Sequence, residues 1–308
     1  MPTVSVLILS HNNASYIAEA IASAISQTHK PSQVLVIDDS TDDSPGIIES
    51  FEQSSGGLVK LMRVPQCNVS RARNIGLDAA SGDFLSFLDA DDIWLPTKLA
   101  RQVELLDANP QAVGCYALYF DFVNTLDDRQ RRVPRTGADD PDLEHVLFEQ
   151  NLSSSTTLFR REVMGDLRFD ENSPDAEDTI FAAELRLKGR WRLIDEPLIA
   201  KRIHPNQAST SSKHRLRNVA ARLRWMKDRR DAIGAVAADA MIERQTQGLI
   251  GWMEGLYWNR DLASLKFVRP EVERICPEHY ARSFISRTRL LPRWMYRLRD
   301  MVTGRRGA

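Results

Sequence analysis

The chain has 308 residues, of which 43% are hydrophobic and 27% charged, and its net charge is -1. That length buries a substantial core, and the balance excludes a disordered or collagen-like chain. The near-neutral total hides an asymmetry: Arg282, Arg287, Arg289, Arg293, Arg297, Arg299, Arg305 and Arg306 crowd the carboxyl end with only Asp300 opposing them, leaving the body acidic and the tail basic.

In chain order, the first half alternates short apolar runs with helical spacing, the pattern of βαβ units and a mostly parallel sheet. Val4–Leu9, Gln33–Asp38, Val59–Val64 and Asp83–Leu88 read as strands. Between them Ile17, Ala20, Ile21, Ala24 and Ile25 recur at helical intervals, Ser44-Pro45 opens a second helix, and Ser70–Ala80 forms a third. Pro96–Ala108 is a fourth, stopped by Asn109-Pro110, and Val113–Val123 is a strand followed by a polar loop over Asn124–Pro141. Further strands are expected at Ser155–Phe159, Trp191–Ile194 and Leu198–Ile203. Beyond His204-Pro205 the pattern turns to long helical stretches, Leu216–Asp231 and Ala232–Leu262. The expected organisation is an α/β domain over 1–212 and a helical extension over 213–308.

Cys67, Cys115 and Cys276 are odd in number, widely spaced and without a CxxC pair, which argues against a disulfide framework and a zinc site. The amino terminus runs into a strand with no basic leader, and no apolar run reaches bilayer-spanning length, so the expected compartment is the cytoplasm. In the tail, Ile285, Leu290, Leu291, Trp294, Met295, Tyr296 and Leu298 interleave with arginines. Such a stretch suits peripheral contact with anionic lipid or packing as an ordinary amphipathic helix. It carries no recognisable nucleic-acid module. Trp252, Tyr257 and Trp258 fit the core of the helical part or the border of an acceptor groove.

The chemistry concentrates at predicted strand ends. The run Phe84–Leu88 ends in Asp89-Ala90-Asp91-Asp92, and open α/β sheets bind ligands at the carboxyl ends of their strands. Clustered carboxylates call for a cation, and a hard divalent ion shared with substrate phosphates fits the pattern. The competing reading is a cap for the helix near Pro96. Asp38-Asp39-Ser40-Thr41-Asp42 lies at a second strand end beside Ser10-His11-Asn12, where a carboxylate can accept a ring N–H from uracil or guanine. No GxGxxG or Walker A loop is present, which removes the main support for a dehydrogenase or P-loop NTPase.

These motifs in this order resemble the family 2 glycosyltransferases of GT-A fold: Val4–Ile8 through Ser10-His11-Asn12, Ser26-Gln27-Thr28, Val36–Asp39, Ser70–Asn74, Gly82-Asp83-Phe84, Phe87–Asp92, Glu177-Asp178 and Arg202-Ile203-His204. The resemblance covers about residues 1 to 210. It implies a Rossmann-like sheet flanked by helices and metal-dependent, inverting transfer of a sugar, most simply from a UDP-sugar. The acceptor it implies is a hydroxyl of a glycan or lipid-linked substrate in envelope polysaccharide synthesis. Carried over residue by residue, Asp39 meets the base, with Ser10 and Asp38 lining the nucleoside pocket. Asp89 and Asp91 are the two acids of the DxD motif, holding Mn²⁺ or Mg²⁺, with Asp89 nearer the ribose. Arg73 offers a guanidinium to phosphate, against a surface role on the third helix. Asp178 is the general base and Glu177 its support, against a helix-start role for both. Arg202 and His204 approach the diphosphate or metal, with His204 a donor or ligand, against a structural histidine at a strand end. The family commonly has a glycine after the paired acids, where Ser40 stands here, which leaves open whether Asp38 or Asp39 contacts the base. The rival reading is a catalytically silent nucleotide-sugar-binding or scaffold protein. A sugar nucleotidyltransferase lacks its Gly-rich amino-terminal loop here.

Overall fold

In the computed structural model, which describes residues 1–126, 137–148, 152–204 and 211–287, the chain forms two compact units, Met1–Gln207 and Ala208–Ala308. The first begins with β1 (Val4–Ser10), α1 (Ile17–Ile25), β2 (Gln33–Asp38), α2 (Ser44–Ser54), β3 (Val59–Arg63), α3 (Val69–Ala79) and β4 (Phe84–Asp89). These strands lie side by side as β3-β2-β1-β4, all parallel. Covered on both faces by helices, they are apolar along their length: Val4, Val6, Leu7, Ile8, Val34 and Val36 are wholly buried.

The second half of the sheet is mixed. It contributes β5 (Ile93–Trp94), α4 (Lys98–Ala108), β6 (Ala112–Phe122), α5 (Leu143–Phe148), β7 (Thr157–Arg160), α6 (Arg161–Met164), α7 (Glu177–Lys188) and β8 (Arg190–Arg202). The full order is β3-β2-β1-β4-β7-β6-β8-β5, with β7 antiparallel to β4 and β6, and β5 antiparallel to β8. Trp191–Ile194 and Leu198–Ile203 are not separate strands. They join in one long β8, because register shifts against β6 at Ala117/Leu118 and Leu118/Tyr119 absorb the polar Asp195-Glu196-Pro197 break as a bulge. Part of the stretch between Asn124 and Ser155 is helical, as α5 buries Val146 and Leu147. The tip of that expected loop lies outside the described residues. Helix α4 starts at Lys98 after Thr97, so neither Asp91 nor Asp92 caps it.

The second unit holds α8 (Ser212–Asp228), α9 (Arg230–Ile233), α10 (Ala235–Trp258), α11 (Leu262–Ile275) and α12 (Pro277–Arg282). Gly234, at φ +93°, separates α9 from α10 where an uninterrupted run was expected. Leu216, Met253, Tyr257, Leu265, Val268 and Val272 form the core of this unit. Tyr257 is therefore a core residue and Trp252 packs at its margin, whereas Trp258 is 52% exposed. Trp258 stacks on Phe284 at 5.5 Å between ring centroids. Most of the basic amphipathic tail lies outside the described residues. Among the described residues no helix is long and apolar enough to cross a membrane.

Candidate active site

Three parallel strands bring their carboxyl ends to one edge of the sheet, two of them ending in acids, Asp38 and Asp89, and the third in Ser10. The register Ser10↔Asp38 and Leu9↔Asp89 sets the ends of β1, β2 and β4 side by side. Between the ends of β1 and β2 lies a cleft of about 370 Å³ lined by Ser10, His11, Asn13, Asp39, Cys67 and Asn68, among others. Asp39 faces it, its Oδ1 2.7 Å from His11 Nδ1 and its Oδ2 accepting the Cys67 N–H at 3.1 Å. Asp38, expected to line the same pocket, is turned away. It is fully buried, accepts the Ser40 hydroxyl at 2.6 Å and pairs with Arg63. The geometry thus separates the two acids that the missing glycine left ambiguous. Ser40 takes over the turn itself, its hydroxyl accepting the Asn12 N–H at 2.8 Å. Asn12, at φ +55°, in turn accepts the backbone N–H groups of Thr41 and Asp42 through its side-chain oxygen.

The acid turn at the end of β4 is closed by the Asp92 N–H donating to Asp89 O at 3.0 Å. The carboxyl end of β8 wraps it. Arg202 donates its backbone N–H to Asp92 Oδ1 at 3.2 Å, its Nε to Asp91 O at 3.1 Å and its Nη2 to Glu19 Oε2 at 3.1 Å. Its guanidinium lies between the Tyr16 and Phe122 rings, 4.8 and 4.4 Å from their centroids. Arg202, expected to approach the diphosphate or metal, places its backbone N–H and Nε on the acid turn and its Nη2 on Glu19. Asp92 is 3% exposed, and burial, then Asp89 and Asp91, push its carboxyl up to about 8. Lys201, on the neighbouring position of β8, opposes this: burial works against its charge, yet Asp92, Asp89, Tyr119 and Asp178 hold its pKa up.

His204 Nε2 lies 2.9 Å from Asp91 Oδ2. Adjacent ligands of an octahedral ion with bonds of about 2.1 Å stand roughly 3 Å apart, so this imidazole and carboxylate fit a shared hard cation. Among the described residues no three His, Cys, Asp or Glu side chains converge as a complete cage. A cation held by this pair would need further ligands, such as the oxygens of a substrate phosphate.

Opposite the acid turn, Ala176 adopts φ +56° and opens α7 on Glu177 and Asp178. Both acids do begin a helix, and Asp178 Oδ1 accepts the N–H of Thr179 at 2.7 Å. They also meet the site. Arg73, far from being a surface residue, is 5% exposed, with Nη2 3.2 Å from Glu177 Oε1 and 3.9 Å from Asp89 Oδ1. Its guanidinium stacks over Phe87 and Phe169. Burial, then the adjacent Asp178, raise the Glu177 carboxyl to about 7 despite Arg73. Asp178 lines a small pocket with Arg73, Phe87, Ser154 and Phe181.

The structure thus brings Ser10 and Asp39 to one cleft, Asp91 and His204 into contact, and Arg73, Asp89 and Glu177 into one chain of charges. Lys201 escapes a sequence reading, and His11 lies inside a motif that gives it no role; only the fold shows which face each takes.

A largely parallel sheet with acids at strand ends, a cleft beside them and an acid-opened helix is the arrangement of the GT-A fold. Solved structures of that fold agree: Staphylococcus aureus TarS 1–349 in complex with UDP-GlcNAc superposes with a TM-score of 0.65 at 18% identity, covering 89% of this chain and 82% of that one. The mannosyltransferase PcManGT from Pyrobaculum calidifontis, in complex with GDP-Man and Mn²⁺, has a TM-score of 0.55 at 18% identity over 93% of this chain and 88% of its own. The sequence model of Glycosyl transferase family 2 matches residues 5–168, and the chain belongs to that family. Succinoglycan biosynthesis protein ExoO of Rhizobium meliloti is 31% identical over 72% of this chain and 66% of its own length. The UDP-Glc:α-D-GlcNAc-diphosphoundecaprenol β-1,3-glucosyltransferase WfaP of Escherichia coli is 27% identical over 55% of this chain and 65% of its own. An uncharacterized glycosyltransferase of Nostoc is 31% identical over 52% of each chain, so the match spans only about half of that relative.

Proposed function

We propose that this protein transfers a sugar from a UDP-sugar to a hydroxyl of a glycan or lipid-linked acceptor, with inversion, in the synthesis of a surface polysaccharide. The observation that carries the reading is the position of Asp39 in the cleft at the ends of β1 and β2, of Asp91 in the acid turn at the end of β4, and of Asp178 at the start of α7, close enough to Asp89 and Lys201 to act on their charge. WfaP and ExoO support the pathway and TarS the uridine nucleotide.

In this reading Asp39 accepts the ring N–H of the base, and Ser10 lines the ribose side of the cleft. Asp91, His204 and Asp89 are the residues that would hold Mn²⁺ or Mg²⁺, whose chemistry is Lewis-acid neutralisation of the leaving diphosphate. Arg73 adds fixed positive charge between Asp89 and Glu177. Asp178 takes the proton of the acceptor hydroxyl as it attacks the anomeric carbon from the face opposite the leaving group, and a single displacement of this kind inverts the centre. Glu177, tied to Arg73, supports Asp178. A lipid-linked acceptor suits a membrane surface, toward which the arginines of the tail supply charge for anionic lipid.

Calorimetry with UDP, GDP and dTDP, with and without Mn²⁺, tests the donor side, and transfer assays with the Asp178→Asn variant test the base. Metal-dependent binding of UDP and loss of transfer with retained UDP binding in the variant are expected. A folded protein that binds none of the three nucleotides overturns the reading in favour of a silent scaffold.

A further inference from the structure

Strand β4 loses its antiparallel partner before it reaches the site. The β4–β7 ladder holds Phe84↔Arg160 and Leu85↔Phe159, while β4 runs on to Asp89 past the start of β7 at Thr157. A side chain takes over where the ladder stops. The Asp89 N–H donates to the Ser155 hydroxyl at 3.0 Å, and Ser155 belongs to the tight 3₁₀ turn Ser154–Thr156 just ahead of β7. Ser86, midway along β4, donates its hydroxyl to Thr157 O at 2.5 Å.

The 3₁₀ turn is gripped from behind by donors four residues apart. Trp94 Nε1 donates to Ser155 O at 2.9 Å, Gln102 Nε2 to Thr156 O at 2.9 Å, and Lys98 Nζ to Ser86 Oγ at 3.0 Å and Thr157 O at 3.5 Å. Lys98 and Gln102 share one face of α4, and Trp94 comes from the end of β5. All three side chains are buried, as are Ser155 and Thr156. The buried Lys98 amine, also 3.7 Å from the Trp94 ring centroid, costs stability relative to an apolar side chain, and its hydrogen bonds tie β4 at Ser86 to the start of β7 at Thr157.

We propose that the Ser154–Thr156 turn is a positioning element for the acid turn Asp89–Asp92, with Ser155 as its positioning residue. Ser155 touches neither donor nor acceptor. It fixes the Asp89 backbone, and with it the angle at which the Asp89 and Asp91 carboxylates face a metal and diphosphate. The inference rests on the reading of those two acids given above. Outer partners of metal-binding groups typically change metal affinity or activity by roughly ten- to hundredfold when removed.

The test uses the whole chain with Ser155→Ala, and Trp94→Phe, which removes the indole N–H together with part of a buried ring. Hydrogen–deuterium exchange over the peptide spanning residues 84–95 reads the Asp89 amide in the free protein. Calorimetric titration of Mn²⁺ at saturating UDP reads the metal affinity. Faster exchange confined to that peptide, with Mn²⁺ affinity weakened roughly tenfold and metal-free UDP binding unchanged, is expected. Unaltered exchange and unaltered Mn²⁺ response in folded Ser155→Ala overturn the proposal. Should that variant fail to fold, Trp94→Phe decides by the same two readouts. A wild-type protein that binds no nucleotide removes the catalytic reading of Asp89 and Asp91, whereas the exchange experiment still decides whether Ser155 holds the turn.

Discussion

Arg73 Nη2 meets Glu177 Oε1 at 3.2 Å with 6% of the arginine side chain exposed, joining α3 to the start of α7 inside the site. Deleting one partner of a buried pair strands the other, which costs about 3 kcal/mol or more. Arg73→Met is expected to lower unfolding stability by about 1 to 3 kcal/mol in urea titrations at pH 7, less than for a permanent charge because Glu177, already raised to about 7, takes a proton once its partner is gone. Arg73→Lys keeps the charge but loses the forked donors and the stacking on Phe87 and Phe169, and falls between. A loss near zero for Arg73→Met would mean that water screens the pair in solution.

Glu177 gives the site a pH signature. Its carboxyl rises from an ordinary 4.5 to about 7 because burial and Asp178 outweigh Arg73. The folded state therefore binds more protons than the unfolded state between those values, and stability contributed by Glu177 falls as pH rises through that window. Comparison with Glu177→Gln isolates the effect. The melting-temperature difference between wild type and variant should shift in favour of the variant from about pH 4.5 to about pH 7 and stay level above. A difference that is flat across the window, or moves the other way, contradicts the raised pKa.

The contact of His204 Nε2 with Asp91 Oδ2 at 2.9 Å predicts that the imidazole belongs to the metal-binding set and not merely to the strand end. His204→Ala should weaken Mn²⁺-dependent UDP binding by roughly tenfold or more while leaving metal-free UDP binding unchanged. Asp91→Asn should do so more severely. Calorimetric titration of Mn²⁺ at saturating UDP separates the two effects. Equal affinities in His204→Ala and wild type would return His204 to a structural role.

The parallel half of the fold was legible because buried parallel strands leave an unbroken apolar record, as in Val4–Leu9 and Asp83–Leu88. The bulged β8 was not. Asp195-Glu196-Pro197 is indistinguishable from a loop until the shift against β6 is seen. Within the site, Asp39, Asp91 and Asp178 stood out because acids at strand ends and helix starts are chemically conspicuous. The orientation of Arg202 and the burial of Arg73 were hidden, since both depend on rings contributed from distant segments, Tyr16 and Phe122 for one and Phe87 and Phe169 for the other. Ser155 left no signal at all, because a serine among serines gains meaning only where the β4–β7 ladder ends.

Asp38 and Asp39 are neighbours in sequence with opposite predicted phenotypes. Asp38 is wholly buried and held by Ser40 and Arg63, so Asp38→Ala leaves a buried hydroxyl and a half-exposed guanidinium without their acceptor. It should cost about 2 kcal/mol of stability, moderated because water reaches Arg63. Asp39 faces the cleft, and its partner His11 is 54% exposed, so water can replace the carboxylate there. Asp39→Ala should cost less than about 1 kcal/mol of stability. Its effect falls on the ligand: a charged acceptor for a base N–H is worth about 1.5 to 3 kcal/mol, which is roughly tenfold or more in UDP affinity. Melts and UDP titrations of both variants form a cross. If Asp38→Ala loses UDP binding at full stability while Asp39→Ala merely melts earlier, the two acids have exchanged roles and the cleft beside Asp39 is not the base pocket.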